Sequence, residues 1–362
     1  MALSKVNPNF VEQTPYGRRN LIINGAMNIW QRGTNFTSAT TAYHVDRFID
    51  VMNLGAWTVS QSSDAPTGFS KSLKWDCTTA NGTLASNSEL IVVTRLEGQN
   101  LQHLKYGTSS AESLTLSFWV KSSKTGTYTC EFDQYGDRQI SRTYTIDSAN
   151  TWEKKTLTVP GDTGGSIDDD NSAEFQLLWW LGAGSNLTSG TLNTSAWAGV
   201  TNANRVSSSQ VNLADNTAND WYITGIQLEI GDTATPFEHH SYGEELVLCQ
   251  RYYQQYGFGG GSNGRIIGVG NGGNTMLTTF GPFNEMRATP TANYFGSGTD
   301  GGNFNVYVHN TATVNTAPSA YSSDGKQIFF NFSGNGSYPN SGYWIDFGIN
   351  TNQFALTLSA EL

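Results

Sequence analysis

The stretch WYITGIQLEIGDTATPFEHHSYGEELVLCQRYYQQYGFGGGSNG, residues 221 to 264, changes its period twice. At its start Tyr222, Thr224, Ile226, Leu228 and Ile230 share one face, the period-two pattern of a strand buried on one side. Gly231 to Pro236 then turn the chain. Ser241 and Glu244 have capping-box spacing, and Leu246, Cys249, Tyr253 and Tyr256 follow at steps of three and four. This predicts one helix over 241–256 with a single apolar stripe. So short a helix is marginal in water, so the stripe must dock on something. The glycines of 257–264 predict a flexible linker.

Towards the N-terminus the chain reads as sheet. In residues 113–122, Leu114, Leu116, Phe118 and Val120 share one face, while Ser113, Thr115, Ser117 and Lys121 share the other. Similar runs occur at 55–61, 71–77, 89–96, 126–133, 151–159, 173–182 and 220–230, with no helical pattern between them. Strands without crossover helices pair antiparallel and imply a jelly-roll sandwich. Towards the C-terminus strands are predicted at 265–269, 275–283, 303–309, 327–332, 343–348 and 354–359, with hairpin-type turns at 300–302 and 324–326. The expected fold is therefore mainly β: a jelly-roll β-sandwich at 18–240, one short α-helix, the linker, and a smaller C-terminal β-sandwich domain at 265–362.

Of the 362 residues, 20 are Lys or Arg and 30 are Asp or Glu, a net charge of -10. With no cluster of bases to neutralise phosphates, nucleic acid is excluded as a partner. The opening residues lack the apolar run of a signal peptide, and no stretch approaches the length of a membrane span, so no membrane insertion is expected. Cys77, Cys130 and Cys249 each lie among apolar neighbours and read as core thiols.

Three segments stand out: AsnLeuIleIleAsnGlyAlaMetAsnIleTrpGlnArgGly at 20–33, TyrHisValAspArgPhe at 43–48, and residues 221–238 with the continuation GluGluLeuValLeuCysGlnArgTyrTyr. Together they resemble the virion structural and tail-fibre-like proteins of tailed phages, marine and cyanobacterial ones in particular. The resemblance spans about 18–256 and implies a carbohydrate-binding-module-like jelly roll followed by a variable tip. It implies a non-enzymatic structural protein of the virion, on tail or capsid surface, made in the host cytoplasm. A tail fibre or appendage that binds the host surface is favoured over a capsid decoration protein. The rival from another class is a carbohydrate-active enzyme or its sugar-binding module. The expected partners are other virion proteins, a host-surface glycan and further copies of the chain, as a homotrimer. Residues 1–17 are expected to form an attachment arm anchored on a neighbour by Val6, Phe10, Val11 and Tyr16.

Candidate sites follow from residue chemistry. The acidic run Asp168, Asp169, Asp170 with Glu174 suits calcium, although a solvated loop is the plainer reading and no cofactor is expected otherwise. Glu238, His239 and His240 read as loop residues before the helix, since adjacent side chains diverge and no metal-ligand spacing completes the set. No nucleophile elbow or phosphate loop is present. Aromatics are the richest signal, with 10 Trp, 16 Tyr and 18 Phe. Trp119 falls on the polar face of its strand, and one of Trp179 and Trp180 must point away from its sheet's core. Trp119 and Trp180 are therefore assigned to a subunit interface, with sugar stacking the competing use of such rings. In the C-terminal region Tyr338, Tyr343 and Trp344 are the candidates for glycan contact.

Overall fold

The computed structural model describes residues 18–259, 264–270, 275–280, 284–288, 290–296, 305–308, 311–315, 319–322, 328–333, 342–347 and 353–362, with side chains over 18–255, 284–288, 290–291 and 358–362. Val6, Phe10, Val11, Tyr16 and Tyr338 lie outside the described residues, as do the side chains of Tyr256, Tyr343 and Trp344. The chain forms two compact units, Met1–Ser241 and Tyr242–Leu362.

The first unit is the jelly-roll sandwich. Its strands are β1 (Asn35–Phe36), β2 (Ala42–Tyr43), β3 (Phe48–Met52), β4 (Ala56–Ser62), β5 (Ser72–Thr79), β6 (Glu89–Glu97), β7 (Leu114–Ser122), β8 (Gly126–Asp133), β9 (Arg138–Ile146), β10 (Glu153–Val159) and β11 (Ala173–Ala183). A one-turn helix α1 (Ser185–Thr188), then β12 (Ala198–Gly199) and β13 (Asp220–Ile230) complete it. One sheet has the order β1-β4-β5-β13-β7-β10, the other β12-β9-β8-β11-β6-β3-β2. Trp57, Trp75, Trp179 and Trp221 are fully buried between the sheets with Phe48, Phe118 and Phe132.

Strand β13 departs from simple alternation. Its register against β7 shifts between Thr224 and Gln227, and Gly225 takes φ +63°. This bulge turns Trp221 and Ile223 inward before it and Ile226 and Leu228 inward after it. Tyr222 and Thr224 therefore leave the face that uninterrupted alternation assigns them.

The bulge also anchors the segment 20–33. Ile226 N–H donates to the Gly25 carbonyl (2.9 Å), Asn20 Nδ2 donates to the Ile226 carbonyl (3.1 Å), and Leu228 N–H donates to Asn20 Oδ1 (3.1 Å). Further along, Asn24 Nδ2 donates to the carbonyls of Ile29 (2.9 Å) and Asp46 (3.0 Å), while its Oδ1 accepts from Ile29 N–H (2.9 Å). Asp46 in turn accepts from the Gln31 backbone N–H at 2.7 Å. Arg47 donates to the Arg95 carbonyl (2.7 Å), and His44 Nδ1 lies 2.7 Å from Asp50 Oδ2. Burial pushes the Asp50 carboxyl upward, with His44 opposing it. Residues 20–33 and 43–48 thus form one buried hydrogen-bonded knot.

The second unit opens with α2 (Tyr242–Gln250), followed by β14 (Tyr253–Gly259). The helix is shorter than the predicted 241–256, and it belongs to the second unit rather than closing the first. Cys249 is its buried residue and Leu246 is half-buried. Tyr253 and Tyr256 are not part of its stripe: they pair with Ser359 and Leu356 of a later strand. Aromatic residues suit a pleated ladder as well as a helix, and here the ladder captures them. It also runs through Gly257 and Gly259, which therefore sit in a strand rather than in the predicted linker.

After β14 come β15 (Gly264–Gly270), β16 (Thr275–Phe280), β17 (Thr291–Gly296), β18 (Asn305–Val308), β19 (Thr311–Asn315), β20 (Ser319–Ser322), β21 (Ile328–Ser333), β22 (Gly342–Phe347) and β23 (Gln353–Ser359). They form sheets β14-β23-β17 and β19-β18-β22-β15-β16-β21-β20. The strands flanking 324–326 pair with one another, as a hairpin requires. Those flanking 300–302 belong to different sheets, so that turn does not join a hairpin.

A Cβ at Gly25 would lie 2.1 Å from the Ile226 carbonyl oxygen, a backbone atom that cannot retreat without breaking the joint. Gly25→Ala should lower the unfolding free energy by about 1–3 kcal/mol, measured by urea titration. An unchanged midpoint and slope would contradict the close approach.

Candidate functional site

The outer faces of the two sheets are used differently. On the seven-stranded sheet, Ile91, Val93, Leu178 and Trp180 form a second apolar cluster, capped by Leu187 and Val206 from the connection between β11 and β13. Trp180 does point away from the sandwich core, but it is fully buried by its own chain, so the sequence-based assignment to a subunit interface is corrected. Its indole donates to Glu131 (3.0 Å), and Arg205 donates to the same carboxylate (2.8 Å) while stacking over the Trp180 ring at 5.5 Å.

The outer face of the six-stranded sheet carries a row of aromatic and charged side chains. Because of the bulge, Tyr222 projects outward between its cross-strand partners Lys74 and Lys121. Lys121 Nζ lies 4.2 Å from the Tyr222 ring centre and 5.6 Å from that of Trp152, which meets Tyr222 edge-on at 6.1 Å. Asp64, from the loop between β4 and β5, holds both: Oδ1 accepts from the Trp152 indole (2.9 Å) and Oδ2 pairs with Lys121. Lys74 pairs with Asp76 (3.0 Å). The Tyr222 hydroxyl donates to Asp220 (3.1 Å), and burial followed by the Asp220 charge pushes its pKa up.

Trp119 lies on the same face, opposite Thr224 and Lys154. A Cβ at Gly225 would come within 2.6 Å of Phe69 Cζ and 3.0 Å of Trp119 Cδ1, so both rings close on the glycine. Phe69 continues to Phe237 (5.0 Å) and His239 (5.3 Å). Trp119, Trp152, Phe69 and Phe237 are half-buried and His239 is exposed. The expectation of an outward Trp119 holds. Phe69, Trp152 and Tyr222 were missed, because Phe69 sits in a loop without periodicity, Trp152 falls at the edge of an alternating run just before β10, and Tyr222 depends on the bulge.

Such a surface offers flat apolar ring faces bordered by hydrogen-bonding groups whose charges are largely paired. It is chemistry for stacking against a saccharide ring or another aromatic-tolerant partner.

The other sequence-based candidates are not assembled into sites. Asp170 accepts from the Ser172 backbone N–H (2.8 Å) and hydroxyl (2.5 Å), Glu174 accepts from that hydroxyl (3.1 Å), and Asp168 and Asp169 are exposed. Among the described residues no group of three or more His, Cys, Asp or Glu side chains is placed to hold a metal ion. Glu238 accepts from the backbone N–H groups of Arg19 (2.9 Å) and Asn20 (2.6 Å) and so pins the start of the sandwich to its end. Cys77, Cys130 and Cys249 are buried and unpaired with one another.

No family model matches the chain, and no curated protein matches it. Among solved structures it is similar to the enzymatically active domain of tailspike protein 4 from bacteriophage CBA120 (14% identity, 58% of this chain, TM-score 0.31), of which it spans 21%. It is also similar to a putative sugar-binding protein from Bacteroides thetaiotaomicron (13% identity, 59% of this chain and 100% of that one, TM-score 0.34). A third is a xylan-binding domain from Paenibacillus barcinonensis (10% identity, 54% of this chain and 99% of that one, TM-score 0.27). At these scores none of them bears on function.

Two titrations test the electrostatics of the two faces. Burial raises the Glu131 carboxyl to about 7, with Arg205 opposing. A raised folded value favours folding at low pH and loses that contribution as pH rises, so stability should decline between about 4.5 and 7. Glu131→Gln should flatten thermal-unfolding profiles over that window, and an identical slope in the variant would refute the assignment. Asp64 is the opposite case: hydrogen bonds from Lys121 and Trp152 hold its carboxyl below the usual 3.8. Its grip on Trp152 is present above that value and lost as pH falls through the lowered one. The Trp152 indole resonance should move only in strongly acid solution in the wild type and be displaced throughout in Asp64→Ala.

Proposed function

We propose that the chain is a structural subunit of a tailed-phage virion, a tail fibre or appendage, that binds a host-surface glycan without cleaving it. The observation carrying the binding role is the aromatic row of Trp152, Tyr222, Trp119 and Phe69 on the outer face of the six-stranded sheet. The virion role rests on the resemblance of residues 20–33, 43–48 and 221–238 to such proteins. In this structure the first two form the buried knot, and the first and third meet at the Gly225 bulge. The subunit acts as a homotrimer, which multiplies weak glycan contacts by avidity.

Affinity electrophoresis of the purified chain against soluble polysaccharides tests the binding role. At least one polymer should retard the wild type, and Trp152→Ala or Trp119→Ala should each weaken that retention about tenfold, as expected for loss of a stacked aromatic contact. Incubation should release no new reducing ends, and light scattering should give three times the chain mass. Retention unchanged in both variants would overturn the site; polymer cleavage or a stable monomer would overturn the corresponding part of the proposal.

A further inference from the structure

On the opposite side of the sandwich, Tyr135 occupies a position that its backbone does not favour. It is the first central residue of the turn Gln134–Asp137 between β8 and β9, closed by Asp137 N–H to the Gln134 carbonyl at 3.1 Å. Tyr135 has φ +42° and Gly136 φ +90°, positive at both central residues as in a type I′ turn. Asn, Asp or Gly normally fill the first of these positions, because a bulkier side chain strains the left-handed backbone. Nothing is gained in burial, since Tyr135 is 48% exposed.

What the conformation achieves is placement of the ring over the Arg95 guanidinium, 5.3 Å from the ring centre. Arg95 is itself fixed: its Nε donates to Gln176 Oε1 (3.4 Å), and Gln176 Nε2 donates to Asp133 Oδ2 (3.0 Å). Arg95, Gln176 and Asp133 are cross-strand partners on β6, β11 and β8, so they make a polar row beside the ring. Strain retained at an exposed position, with a polar row held in place next to it, is the arrangement of a contact site.

We infer that Tyr135 and Arg95 form a second saccharide contact, on the outer face of the seven-stranded sheet. The inference rests on the saccharide-binding reading above and adds a site to it. A pyranose matches this chemistry because it has an apolar C–H face for the ring and hydroxyls at its rim for Arg95 and Gln176. A lipid would need contiguous apolar surface, and beside Tyr135 the turn exposes Gly136 and Asp137 instead.

The test exploits the strain. Asn suits the left-handed position, so Tyr135→Asn should leave Tm unchanged or raise it by about 2–4 °C. The same substitution should weaken retention about tenfold on β-1,4-galactan, xylan, dextran or polygalacturonate, whichever holds the wild type. Tyr135→Phe should retain binding. The measurement is made in the wild type and in Trp152→Ala. Loss in Tyr135→Asn alone, with Trp152→Ala unaffected, supports this site and sinks the first. Loss in Trp152→Ala alone, with Tyr135→Asn binding like its parent, overturns this inference and leaves the first standing. A wild type retained by none of the four polymers overturns both.

Discussion

A single irregularity in β13 governs the first unit. The extra residue at Gly225 reverses the in-and-out order of the strand, so that Trp221 enters the core and Tyr222 leaves it. The same kink presents the Ile226 amide and carbonyl to residues 20–25, and only a glycine at 25 lets the chain approach that carbonyl. On its other side the missing Cβ at 225 leaves room for Phe69 and Trp119. Core packing, the docking of the N-terminal segment and the aromatic row are thus three consequences of one backbone position.

Much of the architecture was legible in sequence because core-facing apolar residues alternate with polar ones along strands such as β5, β7 and β8, even where both faces of the strand are buried. In the first unit β9 and β3 are the strands longer than two residues that were not legible, and each fails for a physical reason. In β9 the inward face runs Ile140, Arg142, Tyr144, Ile146, and Arg142 breaks the apolar pattern although its guanidinium reaches the Thr158 carbonyl. In β3 the inward face holds Asp50 while Ile49 and Val51 face the second cluster, so both faces look apolar and neither alternates. The helix was overextended because Tyr253 and Tyr256 continue its steps of three and four, whereas pairing with Ser359 and Leu356, about a hundred residues later, draws them into a ladder that local spacing does not reveal. The candidate site was only partly legible for a related reason. An outward Trp119 follows from alternation, whereas Tyr222 depends on a bulge and Phe69 on a loop.

The two outer faces solve the same problem in opposite ways. Each sheet carries more large side chains than one core can take. On the seven-stranded sheet the chain returns to cover them, and burial of Trp180 brings Glu131 and Arg205 inside as a pair. An unpaired carboxylate there would carry a heavy desolvation cost, so the cation is part of the cover rather than an addition to it. On the six-stranded sheet the cover is partial: Tyr222 and Lys121 are buried against one another and Trp152, while the rings of Trp119, Trp152 and Phe69 stay half-buried. The rings are instead steadied from the side, by Asp64 gripping Trp152 and Lys121 and by Phe69 resting on Gly225.

That difference bears on what each face can do. A ring fixed by a hydrogen bond to its indole and by a neighbouring ion pair loses little freedom when a ligand settles on it, so less of the contact energy is spent on ordering. A flat sheet face nevertheless encloses only one side of a saccharide, and single contacts of this kind are weak. In the proposed appendage, repetition of the subunit would compensate, because a second contact on a tethered ligand is made at high effective concentration. Rigid, shallow and charge-balanced side chains are what such repetition favours: each copy need bind only modestly, but every copy must present the same geometry. In the outer row the rings are placed by the backbone at Gly225 and by fixed pairing at Asp64, Lys121 and Lys74, rather than by depth.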